Sequence, residues 1–189
     1  MVACLKSVKD FFEIDRSVNI ANVNIAPEGS VYNYNGAYGI LLNDVSRIPP
    51  GDEVLLCGDY NAHTNTVPDY NIGDIKITGS NGDLDKLLIN DIEHRFNDIS
   101  ELYMEKRLDR ASMDNKPTNS HGTQLIDLCK DAGLLILNGR VGKDRNVGKF
   151  TRDDTTGSSI IDYAIATPHL FEGIHEFQIG SSLSQIIFP

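Results

Sequence analysis

The sequence predicts an α/β domain in which strands and helices alternate along the chain. Two observations support this class. The 189 residues, 40% of them hydrophobic, suit one globular domain with its own core. The spacing of apolar residues also changes repeatedly between the period of two typical of strands and the longer period typical of helices. No repeat or linker interrupts this pattern, so we expect one domain over residues 1–189.

The first three predicted elements are a strand, a helix and a second strand. Residues 17–26 alternate apolar and polar side chains and stop at Pro27, which indicates a strand. Residues 35–48 carry apolar side chains at helical spacing and end before Pro49-Pro50-Gly51, where a helix is disfavoured. Residues 53–57 are a short apolar run closed by Gly58, which is typical of a buried strand.

The later elements are separated by a long polar stretch. Residues 65–83 are rich in Asn, Asp and Gly and predict a loop, and residues 84–103 show mixed helical periodicity. A helix is predicted over residues 121–132, between the start signal Asn119-Ser120 and a C-terminal cap at Gly133. The pattern further predicts strands at 134–137, 149–151, 159–166 and 175–179, and a helical turn at 168–171.

Composition excludes several classes of protein. The chain has neither an apolar run of membrane-spanning length nor an N-terminal apolar stretch of signal-peptide length, so we expect an intracellular protein without a membrane partner. Nucleus and cytoplasm are not distinguished. Three cysteines without CxxC spacing indicate reduced, mostly buried thiols. The net charge of −10 argues against nonspecific binding of polyanions.

One basic segment stands against that negative charge. Residues 140–152 carry five cations and one acid, which permits a local phosphate contact. A solvated loop would show the same composition. The cations are Arg140, Lys143, Arg145, Lys149 and Arg152.

The first chemical motif is Gly58-Asp59-Tyr60-Asn61, at the end of the second predicted strand. Side chains two residues apart in a strand share a face, so Asp59 and Asn61 could meet one substrate atom. A carboxylate there can orient or deprotonate a water, and an amide can donate to a phosphoryl oxygen. The alternative for so short a motif is an Asx turn that reverses the chain.

The second motif places Asp162 inside the apolar stretch of residues 158–163. Burying a carboxylate costs several kcal/mol unless it is paired or hydrogen-bonded, so Asp162 should have a dedicated partner. A structural ion pair would satisfy this requirement as well as a catalytic one. His63 could approach the site of Asp59 and Asn61, although a solvated loop histidine is the plainer interpretation.

Taken in chain order, these segments resemble the endonuclease/exonuclease/phosphatase superfamily, and most closely the endonuclease domains of non-LTR (LINE-type) retrotransposons. The resemblance covers about residues 18–184. It is carried by residues 22–27, 54–62, 110–114, 119–128, 133–140, 148–151 and 158–163.

The resemblance implies a four-layer α/β sandwich, with two packed β-sheets flanked by helices, and phosphodiester hydrolysis of DNA assisted by Mg²⁺ or Mn²⁺. It implies that Asp59 aligns the attacking water, that Asn61 supports the transition state and that Asp162 orients a catalytic histidine. Asp59 would contact the metal indirectly at most. Substrate contacts are expected at Asn119 and in the basic segment, at Arg140, Lys149 and Arg152. A reverse transcriptase domain in a longer parent protein is a further implied partner.

The chain departs from the superfamily at both ends. The metal-binding Glu and its strands would precede the start of the sequence, and the expected Asp-His reads Gln185-Ile186. We therefore expect an incomplete sandwich and little or no hydrolase activity from these residues, because members of a catalytic set act together. The alternative function is a non-catalytic remnant that binds nucleic acid or protein through the basic segment. A calcineurin-like phosphoesterase would need DxH and GNH motifs, and neither occurs.

Overall fold

The computed structural model describes residues 6–7, 16–49, 51–71, 99, 102, 105, 108–174, 176–179 and 184–187. Most of the predicted loop at 65–83 and most of the helical stretch at 84–103 lie outside these ranges, as does Cys4. Within them, no helix has the length and apolar character needed to cross a membrane. Cys57 and Cys129 are both free thiols, as expected, and burial raises the pKa of Cys57 to about 12.

The described residues form a mixed α/β structure, which confirms the fold class as an incomplete α/β sandwich. The helices are α1 (Ala37–Ser46), α2 (Ser120–Ala132) and α3 (Pro168–Gly173), with a 3₁₀ turn at Gly142–Asp144. The strands are β1 (Lys6–Ser7), β2 (Val18–Asn24), β3 (Glu53–Asp59), β4 (Leu135–Ile136), β5 (Arg152–Asp154), β6 (Gly157–Ser159), β7 (Asp162–Ala166), β8 (Glu176–Ile179) and β9 (Ser184–Ile187).

A five-stranded sheet in the order β1-β2-β3-β7-β4 forms the centre of the fold. Strand β2 runs parallel to β3 and is connected to it through α1, whereas β7 runs antiparallel to β3. The C-terminal ends of β2 and β3 therefore lie beside the N-terminal end of β7, at the same end of the sheet. The other strands pair in two-stranded ladders, β5 with β6 and β8 with β9.

The sheet is covered on both faces. In β3, Val54 and Leu56 belong to a core shared with α1 and α2, and Leu55 belongs to a second core shared with α3 and Phe177 of β8. Burial on both faces explains why β3 is an uninterrupted apolar run rather than an alternating one.

The ends of α2 lie where the sequence predicts them. The Asn119 side chain accepts a hydrogen bond from Gly122 N at 2.7 Å, and Gly133 has the left-handed φ of 62° that favours glycine after a helix. Helix α1 ends at Ser46, before the prolines.

Two predicted strands are wrong in their bounds. Residues 149–151 are not a strand, and β5 begins at Arg152. The predicted strand at 159–166 is divided into β6 and β7, because the backbone N–H groups of Ile161 and Asp162 both donate to the Thr151 hydroxyl, at 3.0 and 3.1 Å. A side chain thus takes the bonds that a neighbouring strand would otherwise make.

Candidate functional site

Three polar residues lie side by side where β2, β3 and β7 meet. Asn24 is in register with Asp59, and Asp59 is in register with Asp162. Side chains in register on adjacent strands project from the same face of a sheet. Two of the sequence-predicted catalytic residues, 103 positions apart in the chain, are therefore direct neighbours.

Asp59 and Asp162 form the closer type of antiparallel pair. Tyr60 N donates to Ile161 O at 2.9 Å, so the hydrogen-bonded pair is the next one along the strands. The Cα atoms of a non-hydrogen-bonded pair typically lie about 4.5 Å apart, with the side chains close together. Like charges so placed destabilise a sheet, and a site of this kind is suited to a cation.

The electrostatics of the pair follow from burial and like charge. Burial raises the pKa of Asp59, against hydrogen bonds from Asn61 and the positive charge of Arg152, which lower it. Burial also raises the pKa of Asp162, and the charge of Asp59 raises it further, whereas a hydrogen bond with Thr151 lowers it. The partner that Asp162 needed is thus the Thr151 hydroxyl. Whether Gln185 or Ile186 faces Asp162 lies outside the described side chains.

The Asx turn proposed as the alternative for the Gly-Asp-Tyr-Asn motif is present. Asn61 has a left-handed φ of 47°, and its backbone N–H donates to Asp59 Oδ1 at 2.9 Å. The Asn61 side chain donates from Nδ2 to Ile25 O at 2.8 Å, which ties the turn to the end of β2. Gly58 allows this approach, because a Cβ there would lie 1.9 Å from Val23 O. The turn therefore keeps Asp59 and Asn61 together at the C-terminal end of β3.

Asn119 organises this end of the sheet through three hydrogen bonds. Its Oδ1 accepts from Gly122 N and from His63 N, at 2.7 and 2.9 Å, and its Nδ2 donates to Asn61 O at 3.1 Å. One side chain thus joins the start of α2 to the segment that follows Asp59. The predicted substrate contact at Asn119 stays a prediction, because these bonds use only one of its two amide protons.

Arg140 is not part of an exposed basic loop. Its side chain is 1% exposed and makes a bidentate pair with Asp69, at 2.7 and 3.0 Å. The remaining donors reach Leu108 O and Ile136 O. The expectation that Arg140 contacts substrate does not fit this geometry, because the guanidinium has no face toward the solvent. A cation within a polar segment of sequence is predicted to be exposed unless its partner elsewhere in the chain is known.

The other two predicted contacts are on the surface. Lys149 and Arg152 are both exposed, and Arg152 pairs with Asp154 at 2.7 Å. Only Arg152 lowers the pKa of Asp59 through its charge, so it is the predicted cation that the fold brings near the carboxylate pair. The segment between Arg140 and Lys149 folds around buried Asp144, which accepts from Gly139 N and Lys149 N.

The sequence interpretation of His63 as a solvated loop residue is wrong. Its Nδ1 lies 2.8 Å from Asp114 Oδ2, and its side chain is 22% exposed while that of Asp114 is 4% exposed. Asp114 occurs 51 residues later, and the only sequence signal for the pair was the position of each residue in a segment of the resemblance.

The carboxylate pair meets some, but not all, of the requirements of a magnesium site. Mg²⁺ binds through one or two carboxylates and keeps several waters, which two adjacent Asp side chains can accommodate. Among the described residues, however, no group of three or more His, Cys, Asp or Glu could hold a metal ion. Asp59 and Asp162 are the residues of the pair that would hold a hydrated ion.

Comparison with known proteins adds no family. No protein-family model matches the chain. No curated protein matches it, and no solved structure does.

Proposed function

We propose that this chain is a divalent-metal-dependent phosphodiester hydrolase domain of the DNA-endonuclease kind, with weak activity. The observation that carries the proposal is the cross-strand pair of Asp59 and Asp162 at the C-terminal end of β3. Two half-buried carboxylates beside each other repel, and a bound cation relieves that repulsion. A divalent ion in such a place offsets the negative charge of a phosphodiester, which is the chemistry the metal supplies when bound.

The residues around the pair support the same chemistry. Asp59 can orient or deprotonate a water, because it lies at the C-terminal end of β3, where the Asn61 N–H donates to its carboxylate. The Asn61 amide donates to Ile25 O and also hydrogen-bonds the Asp59 carboxylate, so it orients the group that would act on the water. Arg152 supplies positive charge nearby. Asp162 adds a second carboxylate beside Asp59, and its hydrogen bond with Thr151 favours the charged form against burial.

Weak activity follows from the partners that Asp59 and Asp162 have. The described residues place a hydroxyl, and no imidazole, against Asp162, and they supply no third acidic metal ligand. The loss of one member of a catalytic set can cost nearly as much as the loss of all of them. We therefore expect slow nicking of DNA.

The alternative is a domain that binds nucleic acid or protein through residues 140–152 without catalysis. Burial of Arg140 against Asp69 removes the first cation of that segment from any partner. Lys149 and Arg152 remain exposed for it. The carboxylate pair has no role in this alternative, which makes the two proposals separable.

A plasmid-nicking assay with Mg²⁺ or Mn²⁺ tests the proposal, run beside Mn²⁺ binding measured by electron paramagnetic resonance. Asp59→Ala and Asp162→Ala are compared with Asp127→Ala, a control on the exposed face of α2. We expect wild type and the control to bind Mn²⁺ and nick, and the two site variants to lose both. Equal nicking and equal Mn²⁺ binding by all four proteins would refute the proposal, as would the absence of both from the wild type.

A further inference from the structure

The pair of His63 and Asp114 is the imidazole–carboxylate pair that the described residues contain near the candidate site. Asp114 Oδ2 accepts from Ile160 N at 3.0 Å, and its Oδ1 accepts from Lys116 N at 3.1 Å. Burial raises the pKa of Asp114, but these two bonds and His63 outweigh it, so the pKa lies below its ordinary value. The carboxylate is charged at neutral pH, and His63 Nδ1 is the donor in the pair.

The backbone of His63 is fixed relative to the candidate site. Its N–H donates to Asn119 Oδ1, and the same Asn119 side chain binds Asn61 O. On the other side, a Cβ at Gly122 would lie 2.0 Å from His63 O, so α2 begins in direct contact with this peptide. Two residues of chain span at most about 7 Å, which keeps the backbone of His63 close to that of Asn61.

Of the two residues in the pair, the histidine is the more exposed to solvent. The Asp114 side chain is almost fully enclosed, whereas the His63 side chain retains 22% of its accessible surface. Among the described residues, Nε2 of the ring has no hydrogen-bond partner. A carboxylate bound to Nδ1 fixes the orientation of the ring, and when the imidazole is protonated Nε2–H is left as a donor.

We propose that His63, held by Asp114, binds a phosphate oxygen of the DNA backbone through Nε2. This inference rests on the proposed function, because it assigns a phosphate-contacting residue to the same site. It differs from the expected arrangement, in which Asp162 would orient a histidine near the C-terminus. Here a different carboxylate orients a different histidine, and a charge-assisted hydrogen bond to phosphate is its chemical role.

The test is binding of a short DNA duplex by the full chain in EDTA, which prevents hydrolysis. Binding is measured at pH about 5.5, below the ordinary histidine range. Long-range ¹H–¹⁵N spectra record the imidazole nitrogens of the wild type. His63→Gln removes the ring, and His169→Gln is the matched control. His169 lies beside Glu53 at the opposite end of β3, which a seven-residue strand places roughly 20 Å from Asp59.

We expect DNA to shift the ring nitrogens of His63 and leave those of His169 unchanged. His63→Gln should raise Kd about ten-fold, which is typical for the loss of a hydrogen bond to a charged group, and His169→Gln should leave Kd unchanged. If His63→Gln does not fold, the wild-type spectra decide alone. Binding of DNA without a shift at His63 overturns this inference and leaves the proposed hydrolase untouched. Absence of DNA binding by the wild type overturns this inference, and the nicking assay judges the hydrolase independently.

Discussion

Replacement of Arg140 by Met should destabilise the domain strongly. All five guanidinium N–H groups are bonded, to both oxygens of Asp69, to Leu108 O and to Ile136 O, at 2.7 to 3.0 Å. The Asp69 carboxylate is fully buried and would remain without its cation. Breaking a buried pair in this way costs about 3–5 kcal/mol. The whole free energy of unfolding of a domain is only about 5–15 kcal/mol. Arg140→Met should therefore lose a large part of the total stability.

The effect should depend on pH in a defined direction. Burial raises the pKa of Asp69, but the charge and hydrogen bonds of Arg140, with smaller contributions from the charge of Arg110 and a bond from Ile136 N, outweigh burial, so the folded pKa lies below the unfolded one. The pair therefore stabilises the fold at neutral pH, and that stability is lost as the pH falls through the folded pKa. The difference between wild type and Arg140→Met should shrink in acid.

Urea unfolding followed by far-UV circular dichroism measures both effects. The control is Arg145→Met, an exposed cation of the same segment, for which we expect a change within about 0.5 kcal/mol. Asp69→Asn combined with Arg140→Met should cost less than the sum of the two single changes, because the residues are coupled. A loss below about 1 kcal/mol for Arg140→Met, or weakened DNA binding with unchanged stability, would refute the assignment of Arg140 to the core.

Three further predictions concern the candidate site. Asp162→Asn should stabilise the fold by up to about 1 kcal/mol at neutral pH, because it removes a buried charge and its repulsion with Asp59. The gain should shrink as the pH falls through the raised folded pKa and vanish below the unfolded pKa, and equal gains at neutral and acid pH would contradict this electrostatic cost. Asn119→Ala should lose about 1–2 kcal/mol in urea unfolding, since it removes the cap of α2 and the bond to His63 N, and a neutral result would remove its positioning role. Gly122→Ala should lower Tm by several degrees, because the new Cβ would meet His63 O, whereas Gly39→Ala, with open space around it, should not.

Local signals predicted the elements with independent start and stop chemistry. Helix α2 has a polar cap at Asn119, an apolar face and Gly133 after its last residue, and each acts within a few positions of the chain. The strand at 159–166 failed, because Thr151 binds the amides of Ile161 and Asp162 from outside the segment. Its apolar composition was correct for burial but carried no information about that hydroxyl.

The sequence predicted which residues belong to the candidate site better than it predicted how they are arranged. Asp59 was selected with Asn61 as a carboxylate and an amide at a strand end, and Asp162 because a carboxylate inside an apolar stretch is costly without a partner. Their adjacency depends on the antiparallel register of β3 and β7, which pairs residues 103 positions apart. The pair of His63 and Asp114 escaped selection for the same reason.

The sequence by itself determined the α/β class, the presence of α1, the ends of α2, the buried character of β3 and the chemical types at its end. These follow from periodicity and capping, which operate over one or two turns of chain. Only the tertiary structure decided which charges meet. It turned Arg140 inward onto Asp69, set Asp59 against Asp162 and gave His63 its carboxylate, because each of these pairings depends on strand order and loop closure between distant segments.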